Sequence, residues 1–582
     1  MTGCTRNRGC PEAVVSVTAL RLVIAAVLSS AVVTACAPAS VPSVGPDNAA
    51  SPGASGSKRI TVAIRGDPKT LSAKLNSSAG AGGVPGVSEI EEMLNAGLAI
   101  KDGAGTLHPL LSHDIPTVEN GLWTVTDDGR MTTTWRLRRE ARWHDGAPFT
   151  ARDLLFTAQV EQDLPIFRNV AYAAIDAVVS PDDATIQIHW KRPFIEADTM
   201  FTSGRALPLP RHLLEKTYVE DREAFLNLAY WNREYVGTGA YRLREFSIGT
   251  HLLLDANDGY VLGRPRIGQI EVRFIPDPNT IAANILAGEV DLTLGGRLSA
   301  EWGAQVRSQW PGGRMDTGIP TSMISAYPQF INPTPPVLAE ATFRRALLHA
   351  SDREQIIDSL SEGLGLFGHS IINTTHAEWR EVEASVVKYG YDPRLAAQLV
   401  EGHGYARGPD GIYRDAAGQR LQVEIRTQST DDQQMKTTFA LADAWRRVGI
   451  GAEPAPFPQQ RASDREFRAT RPAFEVVRQP GGWQNLQRFH SANTPLPEND
   501  FTGVNRTRHR NADLDVQIDR YFSTVARAER SPILGQIVHY MTDQVLILGV
   551  FWDPSPTMVS NRLHSVTDPG AVWDAHLWDV SR

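Results

Sequence analysis

The segment RWHDGAPFTARDLLFT, residues 142–157, places His144 beside Asp145 and close to Asp153. Such a cluster could serve acid–base chemistry, so its role bears on whether the chain is an enzyme. The spacing favours a structural role, because Thr150 and Asp153 are separated as in a capping box and Asp145 precedes a glycine in a turn dipeptide. The segment therefore predicts a strand, a turn and a capped helix, with His144 packed at the junction between strand and turn.

Strands are predicted on both sides of this segment. The stretch RITVAIRG, residues 59–66, has the alternating apolar pattern of a half-buried strand. Residues 122–138 predict a hairpin, because two runs of strand-forming residues mirror each other about Asp128-Gly129. The first half of the chain is therefore expected to mix strands with short helices.

Helices dominate the region from residue 340 to residue 448. Ser351 and Glu354 have capping-box spacing, and Asp392 precedes a proline at the start of another helical run. The change of pattern near residues 318–335 predicts the boundary between two lobes.

Composition and motifs exclude several classes of protein. The chain has 582 residues, of which 42% are hydrophobic and 21% charged, as in an ordinary folded globular protein. A net charge of −8 argues against nucleic-acid binding, which needs clustered Lys and Arg to neutralise phosphates. The sequence contains no HExxH, no GxSxG and no complete P-loop, so no catalytic residue is predicted. The glycines of GTGAYRL, residues 237–243, precede a strand and predict a turn, not a phosphate cradle.

The 15 histidines are scattered along the chain. No pair has convincing metal-ligand spacing, and His490 and His509 are expected on surface loops. Neither a metal nor a cofactor is predicted.

The first 58 residues predict a lipoprotein leader and a tether. The apolar run LVIAAVLSSAVV, residues 22–33, follows several arginines, is too short to span a bilayer and suits a signal peptide. The sequence VTAC that ends at Cys36 resembles a bacterial lipobox, in which the leader (residues 1–35) is removed and the cysteine is lipidated. A signal peptide with an incidental cysteine is the alternative. Residues 36–58 are rich in Pro, Ala, Ser and Gly, which predicts a flexible tether.

Six segments, in their order along the chain, carry a family resemblance. They are TTWRLRREARWHDGAPFTARDLLFT, VGTGAYRLREFSIGTHLLLDAN, IPDPNTIAANILAGEVDL, FRRALLHASDREQII, YDPRLAAQLVEGHGY and HRNADLDVQIDRYF. Together they resemble the family 5 extracellular solute-binding proteins of ABC importers, which include peptide-, oligopeptide-, dipeptide- and nickel-binding proteins.

The resemblance implies an α/β fold of the periplasmic-binding-protein type II kind. Two lobes are expected, joined by a hinge of two crossing strands, with a subdomain inserted in the first lobe. The expected limits are 59–320 for the first lobe (59–90 and 236–320) with its inserted subdomain (91–235), 321–545 for the second lobe, and 546–582 for the return to the first lobe.

The resemblance also implies which residues contact the ligand. Peptide-binding members surround the ligand with an N-terminal loop and with a second-lobe segment that carries a Gly-Trp pair. The positions expected to contact the ligand are Gly83, Val84, Pro85, Gly482, Trp483, Gln484 and Asn485. A plain core position is the alternative for Trp483.

One expected ligand partner is missing from the sequence. In peptide-binding members an aspartate shortly after the tryptophan pairs with the α-amine of the peptide. Positions 484–487 here are Gln, Asn, Leu and Gln. Because a buried ammonium without a partner costs on the order of several kcal/mol, a ligand with a blocked, neutral or absent amine is expected.

The leading hypothesis is a substrate-binding lipoprotein that captures a peptide-like or other polar organic solute for import and catalyses no reaction. Its expected partners are the ligand, an ABC permease with its ATPase, and the membrane through the lipid anchor. We expect a monomer that binds no nucleic acid, at the outer face of the cytoplasmic membrane, which is periplasmic in an organism with two membranes. The alternative is an orphan solute-binding-like lipoprotein that acts as a sensor or envelope-assembly regulator without transport.

Overall fold

The computed structural model describes residues 58–76, 84–167, 170–203, 205–296, 298–376, 378–462 and 464–581. The predicted leader, the predicted lipidation residue Cys36 and the predicted ligand residue Gly83 lie outside these residues. Among the helices that the structure describes, none is long and apolar enough to cross a membrane.

The described chain contains runs of strands and runs of helices. The strands are β1 (Arg59–Ile64), β2 (Ala99–Lys101), β3 (Leu107–Pro109), β4 (Trp123–Val125), β5 (Met131–Arg136), β6 (Ile175–Asp182), β7 (Thr185–Trp190), β8 (Tyr241–Ser247), β9 (His251–Ala256), β10 (Gln269–Phe274), β11 (Leu292–Leu294), β12 (Gly313–Asp316), β13 (Ser322–Pro328), β14 (Leu366–Phe367), β15 (Ala406–Arg407), β16 (Tyr413–Arg414), β17 (Gln422–Gln428), β18 (Gly451–Phe457), β19 (Phe474–Pro480), β20 (Leu548–Trp552), β21 (Thr557–Ser560), β22 (Leu563–His564) and β23 (Asp579–Val580). The α-helices are α1 (Val87–Leu94), α2 (Ala151–Asp163), α3 (Arg211–Glu220), α4 (Arg222–Leu226), α5 (Pro278–Leu286), α6 (Ala300–Gln309), α7 (Ala341–His349), α8 (Arg353–Ser361), α9 (Trp379–Val382), α10 (Pro393–Glu401), α11 (Asp432–Arg447), α12 (Arg465–Ala469), α13 (Ala512–Ser523) and α14 (Arg527–Asp543).

Within the described residues, seven strands form the first large sheet, in the order β12-β21-β11-β1-β10-β9-β8. The central strand β1 runs parallel to β10 and β11. Its apolar residues Ile60, Val62 and Ile64 are completely buried, which confirms the strand predicted at residues 59–66. Lys58, directly before β1, is held by two contacts. Its carbonyl oxygen accepts from the backbone N–H of residue 268, next to β10, at 2.9 Å, and its side chain pairs with Asp579 of β23.

An antiparallel sheet of four described strands, β4-β5-β7-β6, packs into the same core. Val125 lies opposite Met131, and Gly129 takes a φ of 80° in the turn between them. The hairpin predicted from residues 122–138 is therefore confirmed.

The second large sheet has the order β14-β20-β13-β19-β17-β18 in the described part of the chain. β17 runs parallel to β18 and β19, whereas β13 is antiparallel to β19 and β20. One face packs on helices that include α7, α8, α10 and α11, and the other packs on the 3-10 helix Trp483–Phe489 and on α13 and α14. The sheet thus has its own two-sided core.

Helix caps in this region follow the sequence prediction in one case and correct it in another. The side chain of Asp392 accepts a hydrogen bond from the Leu395 N–H at 2.9 Å, which confirms it as the cap of α10. Ser351 does not cap α8, because its hydroxyl is buried and donates back to the last turn of α7. Asp352 is the cap and accepts from the Gln355 N–H at 3.0 Å.

The chain passes between the two large sheets twice in the described residues. It leaves the first sheet after β12 and enters the second at β13, and it returns from β20 to β21. The two passages lie side by side, since β13 pairs with β20 and Ile324 is opposite Phe551. The domain limits inferred from the sequence stay a prediction; Leu548–Trp552 belongs to the six-stranded sheet and Thr557–Ser560 to the seven-stranded one.

His144 joins the 142–157 segment to the turn before β8. The Gly237 N–H donates to His144 Nδ1 at 3.2 Å, and His144 Nε2 donates to the Gly239 carbonyl oxygen at 3.1 Å. Burial lowers the pKa of His144 to about 4. The imidazole is therefore neutral at neutral pH and its role is structural, as predicted.

The same segment begins α2 with the predicted capping residues. Asp153 accepts from the Thr150 N–H at 2.9 Å and from the Arg211 N–H at 3.1 Å. The turn at Gly237 and Gly239 packs so closely on the end of α1 that added β-carbons would lie 2.0 Å and 2.3 Å from its carbonyl oxygens. These glycines allow the backbone of the turn to contact α1 closely, which agrees with the predicted turn.

His144→Gln is expected to flatten the dependence of stability on pH. The folded pKa of about 4 lies below the ordinary value of 6.5, so the unfolded chain takes up a proton that the folded chain refuses between these values. The contribution of His144 is therefore complete above pH 6.5 and declines by about 3 kcal/mol as the pH falls to 4. Urea unfolding of the protein at pH 7.5, 5.5 and 4.5 measures the effect.

The exposed His539 provides the control for this experiment. His539→Gln should keep the wild-type profile. If the free energy of unfolding fell equally steeply with pH in His144→Gln and in the wild type, the neutral bridging role of His144 would be contradicted.

Candidate functional site between the two large sheets

The carboxyl ends of the parallel strands define the candidate site. Ligands of open α/β sheets bind beyond these ends. β1 and β11 end at Ile64 and Leu294 in the seven-stranded sheet, and β17 and β19 end at Gln428 and Pro480 in the six-stranded sheet. The loops that follow these strands therefore form the candidate ligand-binding surfaces.

The predicted loop at Val84 and Pro85 lies on the ends of β1 and β11. A β-carbon added to Gly66 would lie 2.3 Å from the Pro85 carbonyl oxygen, and one added to Gly295 would lie 2.2 Å from the Gly86 nitrogen. Val84 and Pro85 are both half-buried. Their contact with a ligand stays a prediction, which this position at the strand ends favours.

The segment around Gly482 follows the end of β19. The Gly481 N–H donates to the Thr321 carbonyl oxygen at 3.1 Å, and the Gly482 N–H donates to the Ile371 carbonyl oxygen at 2.6 Å. Thr321 lies in the first crossing passage, so the segment is fixed to the hinge. A β-carbon on Gly481 would lie 1.9 Å from the indole of Trp552, and only glycine allows this approach.

The side chains of this segment differ in what they contact. Trp483 is 7% exposed, and its ring lies 5.9 Å from that of Tyr521 among the helices of the second lobe. Its position thus matches the core alternative considered for it. Asn485 donates from Nδ2 to the Gly481 carbonyl oxygen at 2.6 Å and closes its own turn. Gln484 is half-buried, and its side chain makes no hydrogen bond with the described residues.

The two predicted groups of ligand residues lie on different sheets. Val84 and Pro85 stand at the end of β1, whereas Gly482–Asn485 stands at the end of β19. Hydrogen bonds and ring contacts within the described chain do not join the two groups. A ligand that touches both must therefore bridge the two sheets.

An ion cluster that the sequence did not single out holds the hinge. Arg478 Nη1 lies 2.6 Å from Asp553 Oδ2, and Arg478 Nε lies 3.4 Å from Asp431 Oδ2. The Asp553 N–H donates to the Ser322 carbonyl oxygen at 2.9 Å, so the second crossing passage is tied to the first. The cluster links β19, the start of α11 and both crossing passages.

The charge of Asp553 depends on this cluster. Asp553 is 5% exposed, and burial raises its pKa to about 6 although the guanidinium of Arg478 opposes the shift. A charged residue inside the apolar run of β19 is the signal by which the sequence could have indicated Arg478. Its partner lies in a distant segment, and local spacing carries no information about that pairing.

A second ion pair connects helices that pack on different sheets. Lys436 Nζ of α11 lies 3.0 Å from Glu301 Oε2 of α6 and 3.0 Å from Asp432 Oδ2. These two hydrogen bonds raise the pKa of Lys436. Because the groups are exposed, such a pair contributes roughly 1 kcal/mol or less.

The histidines expected on surface loops are placed differently. His509 packs between Phe330 and Tyr540, with ring centres 4.7 Å and 6.0 Å away, and burial lowers its pKa to about 4. His509 lies in a loop as predicted but is half-buried there, because its apolar neighbours come from distant parts of the sequence. His490 is half-buried, 3.4 Å from Asp519. In the part of the chain that the structure describes, no group of three or more His, Cys, Asp or Glu could hold a metal ion.

Comparison with known families agrees with this arrangement. The model of bacterial extracellular solute-binding proteins, family 5 (middle region), matches residues 116–489, which is more than half of the chain. The chain belongs to this family. The predicted family and the predicted two-lobed α/β fold are thereby confirmed for this family 5 protein.

Known proteins resemble this family 5 member over different shares of their length. Protein XP55 of Streptomyces lividans is 28% identical over 407 residues, which cover 68% of this chain and 66% of XP55. The oligopeptide-binding protein AppA of Bacillus subtilis is 22% identical over 328 residues, which cover 56% of this chain and 58% of AppA. The chain spans about half the length of the curated relatives it matches.

Solved structures share the fold over most of this chain. NikA from Brucella suis, in complex with Fe(III)-EDTA, matches with a TM-score of 0.73 at 17% identity and covers 90% of this chain and 100% of its own. AppA from Bacillus subtilis, in complex with a nonapeptide, matches with a TM-score of 0.66 at 18% identity, over 90% of this chain and 99% of its own. At these identities the likeness concerns the fold.

Arg478→Met is expected to destabilise the hinge by about 3 kcal/mol, because it leaves the buried carboxylate of Asp553 without its partner. The double variant Arg478→Met with Asp553→Asn should recover part of this loss, since the uncompensated charge is gone. Urea unfolding of the single and double variants measures the coupling. Arg447→Met, which removes an exposed pair with Asp443, is the matched control and should cost roughly 1 kcal/mol or less. A loss no larger in Arg478→Met than in the control would contradict the role of the cluster.

Proposed function

We propose that this protein captures a polar organic solute between its two lobes and delivers it to an ABC permease and its ATPase. The observation that carries the proposal is the match of residues 116–489 to family 5. The chain binds and releases its solute and catalyses no chemical step. The sensor or assembly-regulator alternative has no observation in its favour.

The hinge gives this function a physical basis. Two crossing passages, joined by β13–β20 pairing and by the Arg478–Asp553 pair, connect two lobes whose large sheets each have a core of their own. A ligand that contacts both lobes stabilises the closed arrangement by its differential contacts. The loop at Val84 and the side chain of Gln484 are the proposed contacts on the two sides.

The proposed solute is peptide-like or another polar organic molecule. The solved relatives hold very different ligands, a nonapeptide in AppA and Fe(III)-EDTA in NikA, so the fold alone does not select one class. The segment after Trp483 carries no carboxylate, and Leu486 is completely buried. An ammonium group of the ligand therefore has no anionic partner in this segment.

The proposed location is the outer face of the cytoplasmic membrane. The lipobox-like sequence at Cys36 and the Pro/Ala/Ser/Gly-rich residues after it support a lipid anchor followed by a tether. The proposed receptor works as a monomer, with the tether keeping it near its permease.

Solute capture should appear as stabilisation of the mature chain in a thermal-shift screen of peptides, amino sugars, siderophore-like compounds and metal chelates. A solute at 100 times its Kd should add about 2.7 kcal/mol, and small-angle scattering should show closure of the lobes. Gln484→Ala should weaken the binding of that solute by about threefold or more. The Tm of the solute-free protein should not change, because the Gln484 side chain makes no hydrogen bond with the described residues. Gln419→Ala, exposed and remote from the strand ends, is the control. No stabilisation by any pool, together with no closure, would count against a transport receptor.

Cys36→Ser should abolish lipidation, because only the thiol can receive the diacylglycerol. The wild-type protein should label with radioactive palmitate and partition into detergent, and the variant should do neither. Cys10→Ser is the matched control and should label normally. Equal labelling of Cys36→Ser and the wild type would exclude the proposed anchor.

A further inference from the structure

A cavity of about 310 Å³ lies in the first lobe beside α1. Ser88, Glu91 and Glu92 of this helix line the cavity, and the helix starts two residues after Pro85. Ser88, which is exposed to solvent, lies at its rim. The cavity is therefore open to solvent beside the helix that follows the loop at Pro85.

The charged groups that line this cavity do not balance. Three carboxylates, those of Glu91, Glu92 and Glu161, share it with the ammonium group of Lys74. Arg205 also reaches the cavity, but its guanidinium pairs with Glu196. When the carboxylates are ionised, the cavity thus carries more negative than positive charge.

One carboxylate oxygen in the cavity lacks a partner. Glu161 is 2% exposed; its Oε1 pairs with Lys74, which also donates to the Phe167 carbonyl oxygen at 2.8 Å. Oε2 of Glu161 is buried and has no hydrogen-bond partner among the described residues. A buried acceptor left unpaired is costly, so its presence beside an open cavity points to a donor from outside the chain.

The other two carboxylates, those of Glu91 and Glu92, each accept a hydrogen bond from the protein. Glu91 accepts from the Ala73 N–H at 2.9 Å, and Glu92 accepts from the hydroxyl of Ser203. Burial raises the pKa of Glu91, Glu92 and Glu161 to about 7 in each case. A cation in the cavity would favour their ionised forms and lower these pKa values.

The remaining walls of the cavity are largely apolar. The rings of Phe167 and Trp231 lie 5.4 Å apart, and Leu207 and Leu209 line the same space. The Trp231 indole N–H already donates to a backbone carbonyl within the fold, so this residue offers the cavity mainly its ring surface. Aromatic faces and buried carboxylates together suit an organic cation with an aliphatic body. A metal ion fits less well, since no three acidic or His side chains of the described chain converge on one point.

We propose that this cavity binds the ammonium or guanidinium end of an organic cation, with Glu161 Oε2 and Glu92 as acceptors and the Phe167 and Trp231 rings against its aliphatic part. This inference rests on the proposed function and names the class of its solute: the transported molecule carries a cationic end. Residues 484–487, directly after Trp483, carry no carboxylate, and the cavity of the first lobe supplies the anionic site in their place.

Calorimetric titration of the mature chain tests the proposal with three probes of similar length. These are 1,5-diaminopentane, agmatine and the neutral 1,5-pentanediol. Both cations should bind and the diol should not. At pH 7 the binding heat should depend on the ionisation heat of the buffer, because the carboxylates release protons when the cation enters. Equal binding of the diol, or no binding of either cation, would overturn the proposal.

Two isosteric substitutions assign the binding to this cavity. Glu161→Gln and Glu92→Gln should each weaken the binding of 1,5-diaminopentane by about tenfold or more. Each should also reduce the number of protons released on binding. Glu92→Gln keeps the experiment decisive if Glu161→Gln fails to fold, because Glu92 is half-buried and its partner Ser203 can donate to an amide oxygen. Glu220→Gln, on the exposed end of α3, is the matched control and should bind as the wild type does. Wild-type affinity in both cavity variants would refute the site.

The results separate this inference from the proposed transport role. A solute that closes the lobes with the same affinity in the wild type and in Glu161→Gln would leave the transport role standing and reject the cavity. A diamine that binds the wild type, fails to bind Glu161→Gln and neither closes the lobes nor stimulates the permease ATPase would establish the cavity and reject the transport role.

Discussion

The close backbone contact between the Gly237–Gly239 turn and the end of α1 is the constraint on which the first lobe depends. The neutral imidazole of His144 holds this turn from one side, and the side chain of Asn95 accepts from Thr238 on the other. The turn leads the chain into the seven-stranded sheet at β8. Because α1 follows the loop at Pro85 and lines the acidic cavity, the same contact positions both candidate ligand surfaces of this lobe.

Much of the fold could be predicted because its signals are local. The capped helix after Thr150, the hairpin at Gly129 and the cap at Asp392 each depend on residues within a few positions of one another. The predicted cap at Ser351 is wrong because the next residue, Asp352, is an equally good cap and the Ser351 hydroxyl donates to the preceding helix. Such ambiguities arise where one helix follows another directly.

The candidate site could be predicted only in part. The loop at Val84 and the segment at Gly482 stand at strand ends, where the family resemblance indicated them, but their contact with a ligand is still a prediction. The Arg478–Asp553 pair and the Lys74–Glu161 pair join residues that are far apart in the sequence. Which charges meet depends on strand order and helix packing, and a single sequence does not encode either in its spacing.

The attachment of Lys58 gives the two lobes unequal mechanical roles. Because Lys58 directly precedes β1 and accepts a backbone hydrogen bond next to β10, a pull by the proposed tether would act on the seven-stranded sheet. Under the proposed anchoring, the seven-stranded sheet would be the held body, and the six-stranded sheet would move against it about the two crossing passages. In such a receptor the lobe of the seven-stranded sheet would keep its orientation. Solute capture would change the position of the lobe that contains the six-stranded sheet.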